Sequence, residues 1–190
     1  MSSWLAELDR VDRGLYRAVA RARTPRLDVA MRRLSYAANY SRLSLAAAGL
    51  LALSGPRGRR AACGGLSALA LAATLVNVAL KPLGRRPRPD RAGARVPFAR
   101  HVRMPASTSF PSGHTAAAVA FAAGAGRVLP PVRIPLYALA GAVGYSRVHT
   151  GVHYPGDVLG GAALGVLAAK LTAGVCRRGK NVEKLPPSPP

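Results

Sequence analysis

From Ala61 to Leu80 the chain runs for twenty residues without one formal charge. That is about the length at which a helix crosses the hydrocarbon of a bilayer. The stretch stands in a chain of 190 residues that carries 28 Lys and Arg against 7 Asp and Glu, a net charge of +21. Basic residues cluster at 10–33, 57–60, 81–103 and 177–184, and further apolar runs occupy 43–54, 104–126, 134–146 and 158–169. Apolar runs punctuated by basic clusters are the pattern of a multi-span membrane protein. Charge alone would suit nucleic acid, an anionic membrane surface or a phosphorylated substrate. The uncharged segment argues against a soluble nucleic-acid-binding module, so no nucleic-acid partner is expected.

Local signals divide the chain into an all-α integral membrane bundle of about five transmembrane helices behind an amphipathic N-terminal helix. The opening MSSWLAELDRVDRGL carries acids early and has no apolar core, so it does not read as a signal peptide. Residues 4–23 set Leu5, Leu8, Leu15 and Val19 among Arg10, Arg13, Arg17, Arg21 and Arg23. This suits a helix lying in the headgroup layer, and equally a solvated surface helix. Thr24-Pro25 ends it. The later part of 27–54 predicts the first span, and Ser54 to Arg60 a tight basic turn. The second span is 61–80, ending at Lys81-Pro82.

A loop of about 30 residues follows, with five prolines, eight Lys or Arg and one acid, Asp90; loops of that length inside a compact domain carry function or are disordered. Spans three to five are expected from Ser112 to Arg127, over 134–146, and from Gly156 to Gly174. Gly141-x-x-Gly144 and Gly161-x-x-x-Gly165 belong to helix packing. The domain reading is a basic segment 1–40, a membrane domain 41–175 and a basic, proline-rich, disordered tail 176–190. Cys63 and Cys176 have no partner at metal-ligand spacing and make no disulfide framework.

Polar groups at span boundaries stand out, because burying them in hydrocarbon is costly. Lys81 and Arg88 close span two. Ser112, Gly113 and His114 open span three. Ser146-Arg147, His153 and Asp157 lie between spans four and five. In an up-and-down bundle these ends share one membrane face. Cations, a hydroxyl and helix-start amides suit a tetrahedral oxyanion, and no carboxylate cluster is available for Mg²⁺ or Ca²⁺. Ser112 as N-cap and Gly113 as an open backbone would make the start of span three a phosphate cradle, with His114 in the same turn as proton donor. Asp157, one helical turn from His153, would hold one imidazole nitrogen and leave the other free to attack phosphorus. His149 and His153 imitate a metal pair, but lack an intervening Glu and a third ligand, so no metal and no cofactor is expected. Taken singly, each residue has a plain reading as a charged flank, a capped helix residue or an N-terminal helix acid; the conjunction is what points to chemistry.

Lys81-x6-Arg88-Pro89, Pro111-Ser112-Gly113-His114 and Ser146-Arg147-x5-His153-x3-Asp157 together resemble the three-part signature of the type 2 phosphatidic acid phosphatases, the PAP2 superfamily. The resemblance, spread over about 77 residues, extends to actinobacterial members. It implies a metal-independent acid phosphatase on a helical membrane bundle, with His153 as nucleophile, Asp157 as its partner and His114 as general acid. Lys81, Arg88, Ser112, Gly113 and Arg147 would bind the phosphate. The implied partner is a lipid phosphate amid membrane lipids: phosphatidate, phosphatidylglycerol phosphate, or a polyprenyl phosphate or diphosphate. The implied location is the cell membrane, with the site on the extracytoplasmic face. The competing reading is a non-catalytic basic membrane protein that binds anionic lipids or partner proteins and has no need of these histidines.

Overall fold

The computed structural model describes residues 3–174. Cys176 and the tail 176–190 lie outside the described residues. Among the described residues every regular element is helical. The order is α1 (Ser3–Arg21), α2 (Pro25–Ala37), α3 (Arg42–Leu53), α4 (Pro56–Thr74), a wider π-helical turn (Leu75–Leu80), α5 (Lys81–Leu83), α6 (Gly113–Val128), α7 (Arg133–His149) and α8 (Pro155–Leu171). Prolines open α2, α4 and α8, where the N–H they lack would have had no helical partner.

α4, the π-turn and α5 form one continuous rod, Pro56–Leu83, of 28 residues. At 1.5 Å per residue it is about 42 Å long, ample for a bilayer core of about 30 Å. It starts five residues before the expected span, because Gly55 takes the left-handed turn (φ +100°) alone and Pro56 fits the first helical position. Arg57, Arg59 and Arg60 therefore belong to a helix and not to a turn. The widening has a local cause: Pro82 has no N–H for the carbonyl of Val78 and its ring crowds that carbonyl.

Of the five expected spans, only this rod is long and apolar enough to cross a membrane by length and composition. The 27–54 segment is broken just ahead of the first expected span. Tyr40 and Ser41 both adopt left-handed φ (55° and 57°), which leaves α3 only 12 residues long. Nothing in Ala-Ala-Asn-Tyr-Ser announces a break; the turn is held from outside, by contacts at Asn39 described below.

α6 is the central rod. Its neighbours are α3, α4, α7 and α8, and most of its side chains are buried. Close approach is possible because the contacts are made of small residues. A β-carbon on Gly124 would meet the carbonyl oxygen of Gly64, and one on Gly165 would lie 2.6 Å from the carbonyl of Ala116. The Gly161–Gly165 pair thus packs α8 on α6, whereas Gly141 faces open space. α1 and α2 pack on the site end of the bundle, α2 on α7 and α1 on α7 and α8. α1 buries Tyr16 and Ala20 and exposes Trp4, Leu5, Leu8, Val11 and Leu15.

These contacts predict that Gly124→Ala overpacks the α4–α6 crossing and destabilises the protein by about 1–3 kcal/mol. Gly141→Ala should leave it unchanged. Thermal unfolding in detergent measures both, and equal melting temperatures for the two variants would refute the packing assignment.

Candidate active site

Asp157 sits in the first turn of α8 and is fully buried. A buried carboxylate needs donors on both oxygens. Oδ1 accepts from Arg86 Nη1 at 2.8 Å. Oδ2 accepts from the Tyr154 amide at 2.8 Å and from the Ser109 hydroxyl. The same Oδ2 lies 3.5 Å from Nδ1 of His153. His153 is itself buried, and its other ring nitrogen, Nε2, lies 3.3 Å from Arg88 Nη1. The ring thus has a carboxylate on one side and a cation on the other, where the sequence reading predicts a free nitrogen. The carboxylate–imidazole contact is longer than a hydrogen bond, and Nδ1 has no other partner.

His153 is held by backbone geometry as well. Its amide and that of Val152 both donate to the carbonyl of Arg147, at 3.2 and 3.0 Å, which hangs the 150–154 connection from the end of α7. Gly151 makes the sharp turn at φ +71°, against Arg91 and the Tyr16 hydroxyl. At the start of α6, the Ser112 amide donates to the carbonyl of Asp157 at 2.9 Å. The second and third motifs are thus tied together by a main-chain bond.

The phosphate-binding candidates meet at the same end. A β-carbon on Gly113 would stand 3.7 Å from Lys81 Nζ, so the absence of a side chain keeps the space before the ammonium open. Ser112 occupies the N-cap position but does not cap: its hydroxyl shares a 2.9 Å bond with that of Thr115. This departs from the capping expected of it and leaves the first-turn amides of α6 without a side-chain acceptor. Arg147 is buried and donates to the Ser35 hydroxyl, while its Nε has no partner. Among the described residues neither Lys81 nor Arg147 is ion-paired. Lys81, Arg88 and Arg147 lie close enough to repel one another, the electrostatic condition for holding an anion. Arg88 is less free than the motif suggests. It donates to the carbonyls of Ser107 and Val152, both at 2.8 Å, and more loosely to Thr108 and the Ser107 hydroxyl.

His114 lies within electrostatic reach of Arg147, His153, Lys81 and Arg88. Its Nε2 is 3.0 Å from Asn39 Oδ1, in the left-handed turn between α2 and α3. It borders two spaces. One is a cleft of about 320 Å³ shared with Asn39, Tyr40, Arg103 and Arg147. The other is an apolar crevice between α3, α6 and α7, lined by Leu43, Ala47, Phe121 and Leu136 among others. His149 goes elsewhere altogether. Its Nε2 lies 2.9 Å from Asp28 Oδ1, in a buried cluster with Arg100, which also donates to the carbonyls of Val19, Ala20 and Ala22 at the end of α1. The His149–His153 pair is therefore split between two sites.

Sequence reasoning missed Arg86, Ser109, Asn39 and Ser35. Arg86 stands beside Arg85 in Gly-Arg-Arg-Pro-Arg-Pro, and nothing local distinguishes the partly buried arginine from the exposed one. Asn39 lies in a segment with no motif.

The bundle thus sets the His153 ring between the buried Asp157 carboxylate and the Arg88 guanidinium, with Lys81 and Arg147 at the same end. The model of the PAP2 superfamily matches residues 61–178, and the chain belongs to that superfamily of phosphatases. It is 40% identical over 141 residues to a decaprenylphosphoryl-5-phosphoribose phosphatase of Mycobacterium tuberculosis, covering 70% of each chain. It is 37% identical over 118 residues to a lipid A 1-phosphatase of Rhizobium johnstonii, covering 60% of this chain and 47% of that one. Among solved structures it resembles Aquifex aeolicus LpxE, with a TM-score of 0.68 and 27% identity over 84% of this chain and 93% of the other. It also resembles a transmembrane PAP2-type phosphatidylglycerolphosphate phosphatase from Bacillus subtilis, with a TM-score of 0.67 and 27% identity over 92% and 89%.

Burial pulls His153 down to about 4; the Asp157 carboxylate opposes this, and Arg88 and Arg147 add to it. The ring is thus neutral and nucleophilic through the neutral range. Because the folded value lies below that of an exposed imidazole, about 6.5, the unfolded chain takes up the proton first. His153 therefore costs stability as pH falls from about 6.5 toward 4. Histidine ring ¹⁵N NMR in detergent, assigned with His153→Asn, should show a midpoint near 4; a midpoint near 6.5 would refute the burial argument.

Proposed function

We propose that the chain hydrolyses the phosphomonoester or diphosphate of a membrane lipid, without metal, through a phosphohistidine on His153. The carrying observation is the alignment of Asp157, the His153 ring and Arg88. In the first step Nε2 of His153 attacks phosphorus, forming an N–P bond as the P–O bond to the lipid breaks. Charge on the transferring group meets Lys81, Arg88, Arg147 and the first-turn amides of α6. The leaving oxygen takes a proton from His114. Asp157 holds Nδ1–H and stabilises the positive ring. In the second step water loses a proton to His114 and attacks phosphorus, the N–P bond breaks, and inorganic phosphate leaves with His153 restored. For this His114 exchanges its Asn39 contact for the leaving oxygen.

His114 borders a cleft of about 320 Å³ with room for a phosphorylated headgroup and lies beside apolar side chains of α3, α6 and α7, which supports a lipid substrate. The relatives are named for phosphates on a polyprenyl-linked sugar, on lipid A and on phosphatidylglycerol, and the proposed substrate shares their chemistry: a phosphate on a headgroup whose lipid stays in the membrane. Phosphate release by detergent-purified protein in EDTA, across phosphatidate, phosphatidylglycerol phosphate and polyprenyl phosphates and diphosphates, tests this. Wild-type release should fall by about 10³-fold or more in His153→Ala, as when a covalent nucleophile is removed. No release from any of these by folded protein would favour a non-catalytic lipid-binding role.

The reading includes a multi-pass topology in which α3, α6, α7 and α8 accompany α4 through the membrane, with the site at the outer face. Arg57, Arg59 and Arg60 open α4, Arg127 closes α6 and Arg133 opens α7, a basic end suited to the cytoplasm once the eight basic residues of the site-end loop are assigned to phosphate binding and to their acid partners. A cysteine replacing the exposed Arg103 should react with an impermeant maleimide on intact cells. Labelling only after lysis would reverse the orientation.

A further inference from the structure

Three of the seven acids in this strongly basic chain converge on one arginine. Arg86 donates from Nη1 to Asp157 at 2.8 Å, and from Nη2 to Asp12 at 2.6 Å and Asp9 at 3.2 Å. Its guanidinium lies over the Tyr154 ring, 4.4 Å from the centroid, and Tyr16 of α1 meets that ring edge-on. Asp12 acts twice. Besides holding Arg86, its Oδ1 accepts from the Gly156 amide at 2.7 Å, so a carboxylate of α1 caps the helix that carries Asp157. A β-carbon on Gly156 would lie 2.9 Å from Asp12 Oδ2.

We propose that Asp12, with Asp9 beside it, acts through Arg86 to position Asp157, making the N-terminal amphipathic helix a working part of the active site. The proposal rests on the phosphatase reading of His153 and Asp157. It extends the site beyond residues 61–178, the part the family match covers. Arg86 is a positioning residue and not a phosphate ligand: both of its terminal nitrogens are committed to carboxylates. The Asp157 carboxylate has one oxygen on Arg86 and the other on Ser109 and Tyr154. Releasing the Arg86 bond frees the group to rotate, and the 3.5 Å approach to His153 Nδ1 is the contact most sensitive to that rotation. A guanidinium suits the task because its planar fork spans two partners in fixed directions. α1 thus steadies Asp157 from two sides, through Arg86 and through the start of α8.

The full-length protein in detergent tests this with Arg86→Gln, Arg86→Lys, Asp12→Asn and the double variant Asp12→Asn/Arg86→Gln; Arg85→Gln, an exposed neighbour, is the charge control. On the best substrate of the panel, Arg86→Gln and Asp12→Asn should lower kcat by about 10–100-fold, the loss typical of a misplaced catalytic group, with KM nearly unchanged. Arg86→Lys should recover part of the loss. The double variant should lose less than the two single losses combined, because Asp12 acts in part through Arg86. His153 ring ¹⁵N signals should shift in both single variants, and that readout needs no turnover. If the wild type releases no phosphate, the phosphatase reading fails by itself, and the His153 signals still answer for Arg86. Unshifted signals, full kcat in folded Asp12→Asn and Arg86→Lys, or losses that merely follow a fall in melting temperature would each overturn the proposal.

Discussion

The burial of Asp157 is the constraint on which the site end of this molecule depends. An ionised carboxylate cut off from water is tolerated only when every lone pair has a donor and a cation stands close. Here the donors come from separate parts of the chain: Arg86 and Ser109 from the long loop, the Tyr154 amide from its own helix start. Its backbone carbonyl accepts from Ser112 at the head of α6. One residue thereby fixes the long loop and the starts of α6 and α8. The same residue lies against the ring of His153. Structure and chemistry draw on one charge, which is why the loop stays ordered around the site despite its length and its eight basic residues.

A second buried carboxylate, Asp28, performs the equivalent service for the N-terminal helices. Arg100, fully buried, donates to it and to carbonyls at the end of α1, and His149 approaches from α7. Burial alone would raise the Asp28 carboxyl, but the bonds from His149, Thr24 and Arg100 keep it below its usual range. The elbow between α1 and α2 is therefore clamped to the loop at Arg100, while α1 meets the same loop at Arg86. The loop is held at two points by acids from the N-terminal segment, while Lys81, Arg88 and Arg147 have no ion pair among the described residues.

The rest of the bundle makes this arrangement possible by being plain. Gly and Ala along α4, α6 and α8 bring the helix backbones into contact, so the rods pack closely through small residues. Polar groups collect at the rod ends. α6 begins beside Lys81 and places His114 at the border between a polar cleft and an apolar crevice.

The uncharged stretch 61–80, the small-residue runs and the three motifs determined the helical class, the family and the residues likeliest by type to carry chemistry. Hydropathy and spacing are local properties, and in an up-and-down bundle the ends of successive rods share a face by topology alone. Tertiary structure decided what each polar group touches. It sent the Ser112 hydroxyl to Thr115 instead of a helix amide, separated His149 from His153, tied much of Arg88 to loop carbonyls, and chose Arg86 over Arg85 as the partner of Asp157. It also broke the 27–54 segment at Asn39, where no residue of the segment asks for a turn. Partner choice depends on which of many similar arginines and serines are brought within 3 Å of a buried charge, and that is settled by the packing of helices distant in sequence, not by any pattern within one of them.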